Sequence, residues 1–150
     1  MTTIIQPPPR TECTCTACVD CCKEQPGALG PRDYHRIQQH LQLDDAAMAE
    51  KFRSSDGALV QDSATNRTFR VRTIVPLYDR RKKRCTFLDD DDRCTVHAVS
   101  PAGCAYFDTH LKLQAAQARS YWLLTQQRDP AYQQLRQSLK VGDHYRPKAY

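Results

Sequence analysis

Apolar residues recur at helical spacing in four stretches of the chain, and this spacing predicts four helices. The stretches cover about residues 31–42, 44–54, 110–127 and 129–140. Asp44 or Asp45 is placed to cap the second helix, and the pair Asp129–Pro130 is placed to start the last one. The apolar residues that we expect the second and last helices to bury are Met48, Phe52, Leu135 and Leu139.

Residues 57–78 follow a different pattern. Phe69, Val71 and Thr73 alternate with arginines, which predicts a strand with one buried face. Leu59–Val60 offers a partner strand across a polar turn, and Pro76 limits the end of the strand to a sheet edge. The whole pattern therefore predicts a small, mainly helical α+β domain with one short β-hairpin.

The apolar content of the chain is low for a folded domain of 150 residues. Leu, Ile, Val and Phe number 27, or 18% of the chain, where values below about 20% are typical of disordered chains. The net charge is only +5, so repulsion between like charges would not keep the chain unfolded. Eight cysteines instead suggest that metal ligation helps to hold the fold. We expect no membrane span, because no apolar run approaches the roughly 18 residues that one needs.

The chain divides into three parts by composition. Residues 1–12 contain three consecutive prolines and predict a disordered lead-in. Residues 13–108 hold all the cysteines, and residues 109–150 are expected to form helices that pack on them. The last part carries 7 basic against 2 acidic side chains, a modest excess that is typical of a solvated helix face. The N-terminus does not resemble a secretory signal, so we expect the reducing cytoplasm.

The cysteines fall into two groups that are far apart in the chain. The first group is Cys15, Cys18, Cys21 and Cys22, with Cys13 just upstream. The second group is Cys85, Cys94 and Cys104. Two residues between cysteines let the chain turn so that both sulfurs face one ion, as in tetrahedral zinc sites. The same C-x2-C-x2-C spacing can bind three irons of a [4Fe–4S] cluster, so the spacing alone does not choose between zinc and iron.

Adjacent Cys21 and Cys22 point in different directions in most backbone conformations. One regular mononuclear site would therefore not use both in the same way: they serve two centres, one of them bridges, or one is a spare nucleophile. Four disulfides or separate buried thiols are the competing interpretations. Both are weaker here, because disulfides are rare in the cytoplasm and buried thiols do not usually cluster at this spacing.

Several neighbouring residues are candidates for supporting roles. His97 lies three residues after Cys94 and is an additional candidate ligand, as is Cys13. Arg84 and Arg93 each precede a cysteine and are placed to offset thiolate charge. The acidic run 89–92 does not alternate as calcium loops do, so we interpret it as a solvated turn between two cysteines.

Three segments resemble the CxxCxxCC-type zinc- or iron-chelating domain family, also called YkgJ-like cysteine cluster proteins. They are CTACVDCC at 15–22, PRDYHRIQQHLQL with DDAAMAEKF at 31–52, and CTFLDDDDRCTVHAVSPAGC at 85–104. The chain departs from the family pattern at Val96–His97, where members show Ile-Tyr, and at Ser100–Pro101, where they show Arg-Pro. The resemblance implies a bacterial protein that binds zinc or iron. Longer relatives include flagellin lysine N-methylases, but this chain shows no S-adenosylmethionine motif and we assign it no reaction.

The sequence thus predicts a metal-stapled protein that binds Zn²⁺ or iron through the two cysteine groups, for structure or for metal handling. An iron–sulfur redox protein or oxidoreductase is one alternative; if the protein is an enzyme, a redox or methyltransferase-associated iron–sulfur role fits best. The other, weaker alternative is a nucleic-acid or protein adaptor that uses the basic stretch Arg80–Arg84 and the basic C-terminal helices. It is weaker because basic loops are usually only solvated. We name no protein partner.

Overall fold

A computed structural model describes residues 27–61, 65–99, 101, 104, 112, 115, 118–119, 122 and 127–142. Its helices are α1 (Asp33–Leu41), α2 (Asp45–Lys51) and α3 (Pro130–Ser138), with a 3-10 turn at His97–Val99. Its strands are β1 (Phe52–Gln61), β2 (Thr68–Pro76), β3 (Tyr78–Asp79) and β4 (Arg84–Cys85). β1 pairs with β2 and β3 with β4, as two antiparallel sheets. The predicted α+β class is confirmed, whereas a metal staple is not seen among the described residues.

Helix α1 forms where the spacing predicts it. The side chain of Asp33, in its first turn, accepts a hydrogen bond from the N–H of Gly30 at 2.6 Å and one from Arg36 Nη1 at 3.2 Å. The helix ends where Gln42 takes a left-handed φ of 54°. The hydrogen bond from Gly30 ties the turn before α1 to the helix. The buried side of the helix packs in the core.

Helix α2 is shorter than predicted. Asp44 Oδ1 accepts a hydrogen bond from the N–H of Ala47 at 2.8 Å, which confirms the predicted cap. The helix ends at Lys51, however, because Phe52 is extended and pairs with Pro76 in the first sheet. Met48 and Phe52 are both fully buried as expected. The prediction of burial was right and the predicted helix end at 54 was wrong.

Strands β1 and β2 form the hairpin that the alternation around Phe69 predicts. Val60 lies opposite Phe69, and Asn66 in the connection has a φ of 56°. The register shifts between Ser55 and Ala58, so β1 carries a β-bulge there. The hairpin is longer than the short strand pair expected from the sequence.

Helix α3 begins at the predicted pair Asp129–Pro130. The side chain of Asp129 accepts a hydrogen bond from the N–H of Ala131 at 2.8 Å. The helix ends at Ser138, two residues before the predicted end, and the chain then runs along β1. There the N–H of Ser54 donates to Lys140 O at 2.8 Å, and the N–H of Gly142 donates to Ser54 O at 3.0 Å.

Several predictions fall on other parts of the chain. The lead-in 1–12 and the first cysteine group lie outside the described residues. Of the predicted helix 110–127, residues 115, 118, 119 and 122 are helical, and most of the others lie outside the described residues. Across the described part of the chain, none of the helices is long and apolar enough to cross a membrane.

One apolar core joins these elements. Its buried residues are Leu29, Tyr34, Ile37, Met48, Phe52, Ile74, Cys85, Phe87, Leu88, Val96, Tyr132 and Leu139. The ring of Phe52 lies 5.1 Å from that of Tyr34 and 5.5 Å from that of Phe87, between centroids. The core therefore runs without a break from α1 to the segment that carries the second cysteine group.

Candidate metal centre

Local hydrogen bonds place each cysteine of the second group. Cys85 ends β4 and pairs with Tyr78 of β3. Cys94 forms an isolated antiparallel bridge with Leu88. Cys104 is helical, and its N–H donates to Pro101 O at 2.8 Å. The three cysteines thus lie on a strand, in a bridge and at a helical position rather than on one continuous element.

These three cysteines open onto one small pocket. The pocket is lined by Pro76, Cys85, Phe87, Leu88, Cys94, Val96, Pro101 and Cys104. All three cysteines are present as thiols. The pocket has a volume of about 10 Å³, the space of roughly one water molecule. A space of this size is comparable to that of a single bound ion.

The chemistry of this donor set fits zinc or iron. Thiol sulfurs are soft donors, and such donors favour zinc, copper(I) and iron–sulfur centres over calcium or magnesium. The other lining residues are apolar and would keep water from the sulfurs. Among the described residues, however, no group of three or more Cys, His, Asp or Glu side chains is arranged to hold a metal ion. In the described part of the chain, the three cysteines share an otherwise apolar pocket lining without forming a metal-binding group by themselves.

The electrostatics of Cys94 follow from this position. Burial raises the pKa of the Cys94 thiol, the N–H of Val96 lowers it by hydrogen bonding, and the Asp89 carboxylate raises it. The Val96 N–H is the kind of donor that thiolate ligands of metals require.

The acidic run forms a tight turn, as expected. Asp89 Oδ1 accepts hydrogen bonds from the N–H groups of Asp91 and Arg93, both at 2.9 Å. Asp92 takes a left-handed φ of 60°. The first carboxylate therefore organises the turn that leads into Cys94.

Arg84 contacts this acidic turn. Its Nη1 donates to Asp89 O at 2.7 Å and to Asp92 Oδ1 at 3.2 Å. Its Nε is buried and has no hydrogen-bond partner among the described residues. Arg93 and His97 are both exposed, and His97 does not line the pocket. The proposed roles of these residues near thiolates or metal stay predictions.

The segment that follows the first cysteine group is anchored close to the pocket. The N–H of Leu29 donates to Ile74 O at 2.8 Å. The hydroxyl of Tyr132 donates to Leu29 O at 2.8 Å and accepts from the N–H of Ile74 at 2.9 Å. Ile74 lies two residues before Pro76, which lines the pocket. The first cysteine group itself lies outside the described residues, as does Cys13.

Two parts of this arrangement were missed from the sequence. The apolar lining of the pocket includes Phe87 and Val96. Val96 lies between polar Thr95 and His97, a pattern from which its burial could have been predicted. The hydrogen bond between Tyr132 and Leu29 could not be predicted, because no local sequence pattern links residues more than a hundred positions apart. Tyr132 stands on the buried side of α3 at 3% exposure, which signals packing but not its partner.

No curated protein and no solved structure shows significant similarity to the chain. A family model, named CxxCxxCC and described as "Putative zinc- or iron-chelating domain", matches residues 14–123. The match includes both cysteine groups and runs beyond residue 108, the end that we expected for the cysteine domain. Because it covers well over half of the 150 residues, the chain belongs to the CxxCxxCC family of zinc- or iron-chelating domains.

Proposed function

We propose that the protein binds zinc or iron through both cysteine groups, and that the metal fastens the segment around 15–22 to the pocket of Cys85, Cys94 and Cys104. The observation that carries the proposal is the convergence of these three thiols on one ion-sized pocket. Family membership supports metal binding in general. The pairing of the two groups is our own inference.

The chain length allows the two groups to meet. Leu29 lies seven positions after Cys22, and an extended chain of seven steps spans at most about 25 Å. Leu29 is bonded to Ile74, and two strand residues from Ile74 to Pro76 add roughly 7 Å. The pocket therefore lies within reach of the first group.

Bound metal would raise the free energy of unfolding of a chain that has few apolar residues to bury. Structural zinc supplies about 10–16 kcal/mol in zinc-finger peptides, against about 5–15 kcal/mol for the whole stability of a typical domain. The role of the metal is then structural, or the site serves in metal handling. In both cases the site would hold the second cysteine group in one arrangement.

The local charge favours this function over a nucleic-acid adaptor. The exposed basic turn 80–83 lies beside the acidic turn, as the 3.6 Å contact between Lys82 Nζ and Asp90 Oδ1 shows. Carboxylates beside the cations reduce the potential that would attract phosphates. We expect no steeply salt-dependent binding of DNA or RNA to the full chain.

The test is elemental analysis of the full chain purified without oxygen, together with its visible spectrum. We expect about one or two equivalents of zinc or iron, the number that eight thiols can fill at four per centre. Cys94→Ser and Cys18→Ser should both lose metal, one from each group. A brown protein that bleaches on reduction would assign the site to an iron–sulfur cluster, and a colourless zinc protein would exclude that alternative.

Ile37→Val is a matched control. It removes one methyl group from the fully buried core in α1, away from the pocket. It should lower stability slightly and keep the full metal content. Retention of metal by Cys94→Ser and Cys18→Ser, or an absence of zinc and iron from the wild type, contradicts the proposal.

A further inference from the structure

The hydroxyl of Tyr132 occupies an unusual place between two backbone segments. It bridges Leu29 O and the N–H of Ile74, at 2.8 and 2.9 Å, and its ring is buried. Beside it, the N–H of Leu29 bonds directly to Ile74 O. The hydroxyl thus completes a backbone pair that would otherwise leave a buried donor and a buried acceptor unsatisfied.

From this geometry we infer that Tyr132 is a positioning residue for the metal site: its hydroxyl holds the segment after the first cysteine group against the strand that ends at the pocket. The inference rests on the proposed function. It also gives a role to α3, since Tyr132 lies beyond residue 123, where the family match ends. The C-terminal helix would then support the metal site from outside the residues that the family model matches.

The coupling follows from what the hydroxyl joins. On one side is Leu29, seven residues after Cys22, which limits where the first group can lie. On the other is Ile74, two residues before Pro76 in the pocket wall. A metal bound by both groups needs these two segments in register. Loss of the hydroxyl lowers the fraction of molecules in that arrangement, and the apparent metal affinity falls with that fraction.

The test compares zinc affinity of the full, reduced chain with that of Tyr132→Phe, by competition with a chromophoric zinc chelator without oxygen. Phenylalanine keeps the ring in the core and removes only the bridging oxygen. We expect zinc binding to weaken by about three- to tenfold. Unfolding in the presence of excess chelator should be measured in parallel, to separate metal affinity from stability of the metal-free chain.

Leu135→Ala is the matched control, since Leu135 is a half-buried residue of the same helix that packs on the core. It should destabilise the metal-free chain and leave the Kd for zinc within about twofold of the wild type. Asp129→Ala loosens the first turn of α3 without removing the hydroxyl, and its effect on Kd should lie between those of the other two variants. It keeps the inference testable if Tyr132→Phe does not fold.

Three results overturn the inference: a Tyr132→Phe protein with the Kd of the wild type, an equal loss of affinity in Leu135→Ala, or an Asp129→Ala protein with no change. A wild-type chain that binds neither zinc nor iron instead overturns the proposed function. The two failures are therefore distinguishable in one set of measurements.

Discussion

The two halves of the described fold are held together by different forces. The hairpin core, residues 27–61 and 65–76, contains α1, α2 and the long pair β1–β2, with residues such as Ile37, Met48 and Phe52 fully buried. The cysteine lobe, residues 78–99 with 101 and 104, contains two strands of two residues each and a series of turns. Short strand pairs are only marginally stable in water. Both halves bury apolar side chains in one core, but the first also has a long strand pair, whereas the second has only short strand pairs and turns.

The two halves meet in the shared apolar core, to which the cysteine lobe contributes Cys85, Phe87, Leu88 and Val96. Phe87 of the cysteine lobe packs on Phe52 of the hairpin core, with ring centroids 5.5 Å apart. The N–H of Thr86 donates to Leu77 O at 2.9 Å, and Tyr78 pairs with Cys85. Beyond this joint, the lobe is organised by turns with carboxylate caps and by thiols. We therefore expect a bound metal ion to stabilise the cysteine lobe more than the hairpin core.

Removing the metal should have the largest effect. Treatment of the reduced protein with a strong chelator should lower the free energy of unfolding by more than about 5 kcal/mol, given the magnitude known for structural zinc. Hydrogen exchange followed by mass spectrometry should show faster exchange across 78–104 than across 45–76. Equal loss of protection in both halves would mean that they unfold as one unit, and the comparison would be wrong.

Truncating the joint should have the next largest effect. Phe52→Ala removes a fully buried ring that contacts both Tyr34 and Phe87, and core truncations of this kind cost about 3–5 kcal/mol. We expect a lower midpoint in urea and a weaker coupling between the halves, seen as separate transitions by fluorescence and by metal release. Met48→Ala is the control, since it creates a comparable cavity in α2. If both variants separate the halves equally, the joint is not at Phe52.

Local sequence patterns predicted the hairpin core better than the cysteine lobe. The caps Asp44 and Asp129 and the pairing of Leu59–Val60 with the strand that contains Phe69 all follow from residue type and spacing over short distances, and the structure confirms them. The end of α2 was predicted three residues too late. Phe52 fits a helical face in the sequence, and only its pairing with Pro76 makes it a strand residue.

The candidate site was predictable only as a set of residues. Cysteine spacing indicates which sulfurs are available, but not that three of them line one pocket, because the chain between them turns twice. Arg84 shows the same limit. Its position beside Cys85 predicts a role near thiolate charge, which stays a prediction, but does not indicate its hydrogen bonds to the acidic turn. Contacts of this kind depend on tertiary structure that residue type does not encode.

Arg84 should matter moderately, and only to the cysteine lobe. Arg84→Met keeps much of the aliphatic stem and removes hydrogen bonds to Asp89 O and Asp92 Oδ1, so we expect a loss of about 1–2 kcal/mol, reduced by partial exposure of the pair. Exchange should rise in 84–94 and not in the hairpin core. Arg81→Met, at an exposed position in the same turn, should change stability by less than about 0.5 kcal/mol. Equal effects of the two variants would argue against a bridging role for Arg84.

The ion pair between Lys82 and Asp90 should have the smallest effect. The Nζ–Oδ1 distance is 3.6 Å and the two side chains are 59% and 85% exposed, so solvent screens the attraction. A double-mutant cycle with Lys82→Met and Asp90→Asn should give a coupling energy below about 0.5 kcal/mol, and it should fall further in 0.5 M salt. The same cycle on Arg84 and Asp92, whose side chains are 20% and 42% exposed, should give the larger value. The difference between the two cycles measures how far the turns of the cysteine lobe rely on buried rather than exposed charge. A larger coupling energy for Lys82 and Asp90 would show that the more buried ion pair of this lobe is not the stronger one.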